Sequence, residues 1–316
     1  MKHFFLNVKD FLKRKRTTEI FFTTTLAVLI VASGVYAATT IGNNISTEGI
    51  IEIGGTQVLS KGAGSLTGNL FVGDGGGTVT EGGTNNTAVG FDALKSTTDG
   101  FQSTAVGAGA LYSSYSYYNT AVGANALYHN TTGDSNVAVG ISALNSDTQG
   151  HNNIALGRAA LSANTSGNYN VALGRNVLST NITGSENVAL GYQAGNFQAD
   201  GTTALTDPEN SVYLGSRARG KDNSDSNSIV IGSTAIGIGA NSVVLGNNSI
   251  VTTALKGNVG IGTTAPGAKL DVDGIIKTKE RATATCDANA EGGIYYDSDD
   301  SHFYGCDGTT WHQLDN

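Results

Sequence analysis

The sequence predicts an all-β chain whose main part is a parallel β-solenoid, or β-roll, of about ten coils. Three observations support this prediction: a seventeen-residue repeat, an excess of glycine and a scarcity of charge. Glycine supplies 44 of the 316 residues, and only 14% of the residues are charged, where about 25% is typical. Because glycine costs about 1 kcal/mol per helical position relative to alanine, a helix bundle is disfavoured. The lack of glycine at every third position excludes collagen.

The first 38 residues are predicted to direct export. A basic run over residues 13–16 precedes an uncharged segment over residues 20–38. A basic start, an apolar middle and small residues at the end are typical of a secretory signal, here with cleavage after Ala37. The segment is also nearly long enough to cross a bilayer, so an uncleaved membrane anchor is the alternative. In both cases we expect the remaining chain to be extracellular or on the cell surface.

Charge divides at the same boundary. Six of the 18 basic residues and two of the 26 acidic residues precede position 38, which leaves 12 basic and 24 acidic residues and a net charge of −12. Such an acidic surface repels phosphate backbones, so no nucleic-acid partner is expected.

Residues 39–81 are predicted to form a β-rich base, and the repeat roll follows over residues 82–250. In the roll, the phrase Ala-Val-Gly or Ala-Leu-Gly recurs with spacings of 17, 16, 17, 17, 17 and 17 residues. An Asn or Ser stands four positions before each repeat glycine, and an Ala-Leu or Val-Leu pair follows six of them. The repeat glycines are Gly90, Gly107, Gly123, Gly140, Gly157, Gly174 and Gly191.

Each unit predicts one coil. The apolar phrase before the repeat glycine predicts a short buried strand, and the Ala-Leu pair predicts a second one. The polar phrase between units predicts a turn in which a second glycine, ten positions on, supplies positive φ. A coil cannot bury itself, so its neighbours stabilise it. After Pro208 the asparagine moves one place earlier, and the last spacing shrinks to 14 residues.

Alternation within each strand predicts two apolar faces. In Val188-Ala189-Leu190 the larger residues point to one face and the alanine to the other. We expect the larger residues to fill the coil and the alanines to form an exposed stripe that joins the subunits of an oligomer. A single wide solenoid that buries the alanines is the alternative. These predicted interface residues are Ala88, Ala105, Ala121, Ala138, Ala155, Ala172 and Ala189.

The repeat phrases resemble those of known fibres. Residues 227–232 and 241–246, Asn-Ser-Ile-Val-Ile-Gly and Asn-Ser-Val-Val-Leu-Gly, look like the head repeats of trimeric autotransporter adhesins. The seventeen-residue units, and residues 257–274 and 292–314, are similar to segments of bacterial surface proteins and phage tail fibres. The resemblance implies a left-handed parallel roll made by three chains. No full tail-fibre chaperone domain follows residue 274, so self-cleavage is not expected.

The C-terminal part is predicted as a connector over residues 251–280 and a small β module over 281–316, with Trp311 in its core. The two cysteines of an exported chain, Cys286 and Cys306, predict one disulfide. The nearby His302 and His312 leave a Cys/His metal site as the alternative. The spacing of these residues matches no zinc pattern, so no metal is expected.

No catalytic motif is found, because the sequence has no Gly-x-Ser-x-Gly elbow and no phosphate-binding loop. We therefore expect neither an enzyme nor a cofactor. The sixteen-residue unit is rich in tyrosine, which offers stacking area and a hydroxyl for recognition of a surface glycan or protein. The alternative is that the rings support the edge of the coil. The candidate ligand-binding residues are Tyr112, Tyr115, Tyr117, Tyr118 and Tyr128.

We therefore expect an exported structural or adhesive fibre at the cell surface. A phage-type receptor-binding fibre is one alternative, and an ice- or glycan-binding solenoid is another.

Overall fold

All regular structure in the described part of the chain is β-strand, and no helix is found there. The predicted export segment over residues 20–38 lies outside the described residues. Within those residues, no helix is long and apolar enough to span a membrane. The chain divides into two compact units, one ending at Asn247 and the other beginning at Asn248. The computed structural model describes residues 50–53, 56–60, 68–77, 83–96, 100–276, 285–288, 290–297 and 301–314.

The first unit is built on one sheet of thirteen strands that follow each other in sequence order. The first three strands pair antiparallel, and every later pair is parallel. The prediction of a parallel solenoid of about ten coils is confirmed, and its parallel strands begin at Leu70. The strands are β1 (Ile50–Ile53), β2 (Thr56–Ser60), β3 (Leu70–Val72), β4 (Thr87–Val89), β5 (Thr104–Val106), β6 (Thr120–Val122), β7 (Val137–Val139), β8 (Ile154–Leu156), β9 (Val171–Leu173), β10 (Val188–Leu190), β11 (Val212–Leu214), β12 (Ile229–Ile231) and β13 (Val243–Leu245).

The central alanine of each repeat strand faces the interior of the coil, opposite to the prediction. The strands stack without a register shift, so that Ala155 pairs with Ala172 and Ala172 with Ala189. The predicted subunit contact through alanines is therefore wrong, and the alternative, burial inside one solenoid, holds. The buried alanines are Ala88, Ala105, Ala121, Ala138, Ala155, Ala172 and Ala189, each at most 1% exposed.

The Ala-Leu pair forms a turn and not the predicted second strand. Leu144 has φ 49° and Leu161 has φ 51°, which is the left-handed region that bulky residues normally avoid. Both leucines are fully buried, and their N–H groups donate to carbonyls of the next coil, as from Leu144 to Ala160 at 3.0 Å. The turn thus aims a large side chain into the coil, and this leaves room for only a methyl group on the strand.

A column of buried amides runs through the interior. The Asn153 side chain donates to the carbonyl of Gly167 at 2.8 Å, and its Oδ1 accepts from the Asn170 N–H at 3.0 Å. The Asn136 side chain does the same with Gly150 and Asn153. Since an unpaired buried polar group costs about 1–3 kcal/mol, this column satisfies backbone groups that the turns leave open. It explains why asparagine recurs four positions before the repeat glycine.

In the regular coils the second glycine of the unit is required for space and not for positive φ, whereas Gly201 has φ 76°. Gly150 has no positive φ, which differs from the prediction. A Cβ on Gly150 would lie 2.3 Å from Asp147 Oδ1 and 2.6 Å from the carbonyl oxygen of Gly167. The repeat glycine itself does adopt positive φ, as at Gly157 with 137°.

A second interior column stands seven positions after the repeat glycine. It consists of Asn130, Asp147, Asn164 and Asn181, all fully buried. The Asn164 amide donates to Asp147 at 2.8 Å, and the Asn181 amide donates to Asn164 at 3.1 Å. Burial raises the pKa of Asp147 to about 7, against the bonds from Asn164 and Gly150 that lower it. One ionisable group therefore lies within a row of neutral amides.

The second unit contains two further sheets. The strands β14 (Val259–Ile261) and β15 (Leu270–Val272) pair parallel. The strands β16 (Ile294–Asp297), β17 (His302–Cys306) and β18 (Trp311–Gln313) form an antiparallel sheet.

Aromatic packing and a disulfide stabilise this last sheet. The ring of Trp311 packs edge-on against Tyr295, with the ring centroids 4.6 Å apart. Cys286 and Cys306 form a disulfide with Cα atoms 5.5 Å apart, which confirms the predicted pair.

Candidate functional site

The five predicted tyrosines do not form one group. Tyr112 and Tyr128 lie on successive coils at the same turn, with their rings stacked at 4.8 Å. Lys95, from the preceding coil, lies 5.7 Å from the centroid of the Tyr112 ring and 3.0 Å from the carboxylate of Asp92. The hydrogen bond to Asp92 raises the pKa of Lys95. This turn thus presents a stacked aromatic pair beside a fixed positive charge.

A second aromatic pair lies later in the same coils. The ring of Tyr117 stacks on Phe101 at 5.4 Å, and Tyr118 is tilted against Tyr117 at 6.4 Å. Tyr118 is 59% exposed and Tyr117 is 37% exposed. No described ring contact joins this group to Tyr112. Phe101 was not among the predicted ligand-binding residues. Its contact with Tyr117 follows only when residues of adjacent coils are aligned on their repeat glycines.

Tyr115 stands apart from both groups. Its side chain is half exposed, and its N–H donates to the carbonyl of Thr131 at 2.9 Å. The neighbouring Ser114 and Ser116 point inward, where their hydroxyls lie 2.6 Å apart. This coil has sixteen residues and not seventeen. The serine pair stands at positions where other coils have an asparagine and a glycine, and it accommodates the shorter turn.

The outer face of the parallel sheet carries the larger strand residues, which were predicted to fill the coil. The residues on either side of each buried alanine point outward and are apolar from β7 onward, as in Ile154 and Leu156. Leu190 is 49% exposed, and Val243 is 60% exposed. In β4, β5 and β6 the first outward position is threonine. The result is a continuous, narrow apolar face from β7 to β13.

The described residues offer no group of three or more His, Cys, Asp or Glu side chains that could hold a metal ion. His312 lies 2.7 Å from Asp307 in an exposed turn, and this bond adds to backbone hydrogen bonds that lower the pKa of Asp307. His151 Nδ1 accepts from the Asp134 N–H at 2.9 Å, which is a structural role between coils.

Comparison with protein-family models, with curated proteins and with solved structures found no match for the chain.

Proposed function

We propose that the chain is an exported, non-catalytic structural fibre or adhesin of the cell surface, assembled as a homotrimer that presents the roll for attachment. The outer apolar face is the observation that supports this proposal. A globular monomer rarely leaves a continuous apolar patch of several hundred square ångströms in water, and such patches mark interaction sites.

The shape of the face suits a second and third copy of the same chain. The seven strands from β7 to β13, spaced by about 4.8 Å, give an apolar face about 30 Å long, and three residues per strand give a width of about 10 Å. A long, narrow face parallel to the solenoid axis is matched by an identical face on another rod. Closed cyclic symmetry would then cover every copy, and three rods around one axis bury all three faces.

The two aromatic groups supply the attachment part of the proposal. The stacked pair Tyr112 and Tyr128 and the exposed pair Tyr117 and Tyr118 offer ring faces that suit sugar or protein contact. They lie outside the strands β5 and β6, and we expect assembly through the strands to leave them accessible.

Mass measurement of the full chain tests the assembly. We expect three chains per particle in the wild type. The double variant Leu156→Asp, Leu190→Asp places charge on the outer face without touching the coil interior, so we expect single chains with unchanged β-structure by circular dichroism. A wild type that is a stable folded monomer would contradict the trimer.

The matched control is Tyr169→Asp, which places the same charge at a residue that is 60% exposed but lies on a turn. We expect this variant to keep the mass of the wild type. If it dissociates the particle as strongly as the strand variant does, the outer face is not the contact.

A further inference from the structure

A row of basic and aromatic side chains follows one corner of four consecutive coils. Arg158, Arg175 and Tyr192 each directly follow the repeat glycine, and Arg217 lies one position later in the next coil. All four side chains are exposed. At the usual strand spacing of about 4.8 Å, three coil steps extend the row over about 14 Å.

The backbone holds this row in register. The Asn176 N–H donates to the carbonyl of Arg158 at 2.9 Å, and the Arg217 N–H donates to the carbonyl of Tyr192 at 2.8 Å. These bonds tie each corner to the corresponding corner of the next coil. The Cα positions are therefore fixed before any ligand arrives, which lowers the entropy cost of binding.

The aromatic ring lies between two of the cations. The guanidinium carbon of Arg175 is 5.8 Å from the centroid of the Tyr192 ring, and that of Arg217 is 5.6 Å away. Cation–π contact of this kind orients the guanidinium groups. The Arg217 Nε–H also donates to Gln193 Oε1 at 3.3 Å, which leaves its terminal N–H groups to bind an anion. The ion pairs found among the described residues involve none of the three arginines.

The surrounding sequence is unusual for an acidic rod. Residues 148–185 contain no Asp or Glu, although the chain as a whole carries a net charge of −8. Arg158 and Arg175 both lie in this stretch, so their charges are not neutralised by carboxylates of their own coils. A local row of positive charge on an otherwise acidic surface favours an anionic ligand that contacts the arginines and does not extend over the acidic remainder of the surface.

We propose that this row binds a linear acidic polysaccharide. A guanidinium matches a carboxylate or sulfate group with two parallel hydrogen bonds, and the fixed row would meet successive anionic groups of a chain. The Tyr192 ring supplies a face for a sugar ring between them. A nucleic acid fits less well, because its more closely spaced phosphate charges would be repelled by the acidic groups on the rest of the surface. The inference rests on the attachment role proposed above and names the class of its partner.

Titration of the full chain with four probes tests the proposal: an oligogalacturonate, dextran sulfate, unmodified dextran and single-stranded DNA. We expect saturable binding of at least one acidic probe, weakening as salt is added, and no binding of unmodified dextran. The acidic probe with the higher affinity shows whether carboxylate or sulfate is the preferred group. Binding of neither acidic probe, equal binding of dextran, or tighter binding of single-stranded DNA would overturn the proposal.

Natural variation between coils supplies variants that fit the fold. Ala108 and Ala124 hold the same position in earlier coils, so the double variant Arg158→Ala, Arg175→Ala should keep the structure. We expect its affinity for the preferred acidic probe to fall at least tenfold. Unchanged affinity in a variant with native circular dichroism would refute the assignment.

Two further variants complete the design. Tyr192→Ser copies Ser216 of the next coil and should weaken binding about threefold or more while keeping the salt dependence. Lys221→Ala with Lys256→Ala removes two positive charges elsewhere and should leave the affinity unchanged, so a tenfold loss here would overturn the site. Mass measurement of the same samples gives the number of chains per particle independently of ligand affinity. Loss of binding and loss of the trimer are therefore distinguishable.

Discussion

The coils before Pro208 and the coils after it fill a similar interior in opposite ways. Before Pro208 the strand contributes a buried alanine such as Ala155, and the following turn contributes a buried leucine such as Leu161. After it, the strand itself contributes the large side chain, as in Tyr213 and Val230, which are fully buried. The large residue has moved from the turn to the strand.

The turns change accordingly. The position of Leu161 is taken by Arg219 and Ile236 in the later coils, and neither has positive φ. Both are only partly buried. The hydroxyl of Tyr213 donates to the buried Asp225 at 3.1 Å. Asp225 stands at the position where earlier coils have their second glycine. A repeat can thus keep its stacking while exchanging which of its segments fills the core.

The largest expected loss of stability distinguishes the turns before Pro208, which carry a buried leucine, from the turns after it, which do not. Leu161→Ala should destabilise the chain by about 3 kcal/mol, because it leaves a cavity beside a strand that offers only Ala155. Ile236→Ala, at the equivalent position of a later coil, should cost less than about 1.5 kcal/mol, since that side chain is half buried and Val230 fills the interior. Urea unfolding followed by circular dichroism measures both. Equal losses would contradict the exchange of roles.

The amide column gives the next effect. Asn153→Ala removes one donor and one acceptor, so the Asn170 N–H loses its partner and the Gly167 carbonyl keeps only the bond from Asn164, which should cost about 1–3 kcal/mol. Asn153→Ser should cost about half as much. In the later coils Ser211 keeps the acceptor role toward the Ser228 N–H at 3.2 Å. The same unfolding experiment decides this, and a serine variant as unstable as the alanine variant would contradict it.

The sequence predicts the stacking but not which side of the strand faces inward. The seventeen-residue period, the strand before each repeat glycine and the disulfide can be derived from glycine, apolar and cysteine spacing. The inward direction of Ala172 cannot, because it depends on a leucine of the same coil in the left-handed region, which L-residues disfavour by about 1–2 kcal/mol. An Ala-Leu pair in sequence resembles a strand, and only packing of the coil shows that Leu178 fills it from a turn.

The tyrosine group illustrates a second limit. Tyr112 and Tyr117 are close in sequence, yet the coil path places them in separate stacked pairs with Tyr128 and Phe101. Neighbours in a solenoid are one repeat apart and not a few residues apart. Counting positions from the repeat glycine, rather than clustering by sequence distance, would have found both pairs.

Substitution of two buried carboxylates gives the smallest predicted change in stability, and for one of them the change is a gain and not a loss. Asp147 lies among amides, whereas Asp225 accepts from the hydroxyls of Tyr213 at 3.1 Å and Ser228 at 2.9 Å. Asp147→Asn should stabilise the chain by about 1–2 kcal/mol near pH 8, because it removes a buried charge and restores the column. Its amide can bond the Gly150 carbonyl as Asn164 bonds Gly167 at 3.1 Å. Asp225→Asn should bring no gain, because no row of amides surrounds it and the hydroxyls of Tyr213 and Ser228 would lose a charged acceptor.

The pH dependence fixes the cause of that gain. The pKa of Asp147 is raised in the folded chain to about 7 from an ordinary value of 3.8, so between these values the folded state binds a proton that the unfolded state does not. The wild type should therefore become more stable as pH falls from about 7 to about 4, and its penalty should be complete above about pH 7. The Asn variant lacks this titration, so the stability difference should shrink on acidification. A difference that stays constant across this range would show that packing, and not charge, distinguishes Asp147 from the asparagines stacked around it.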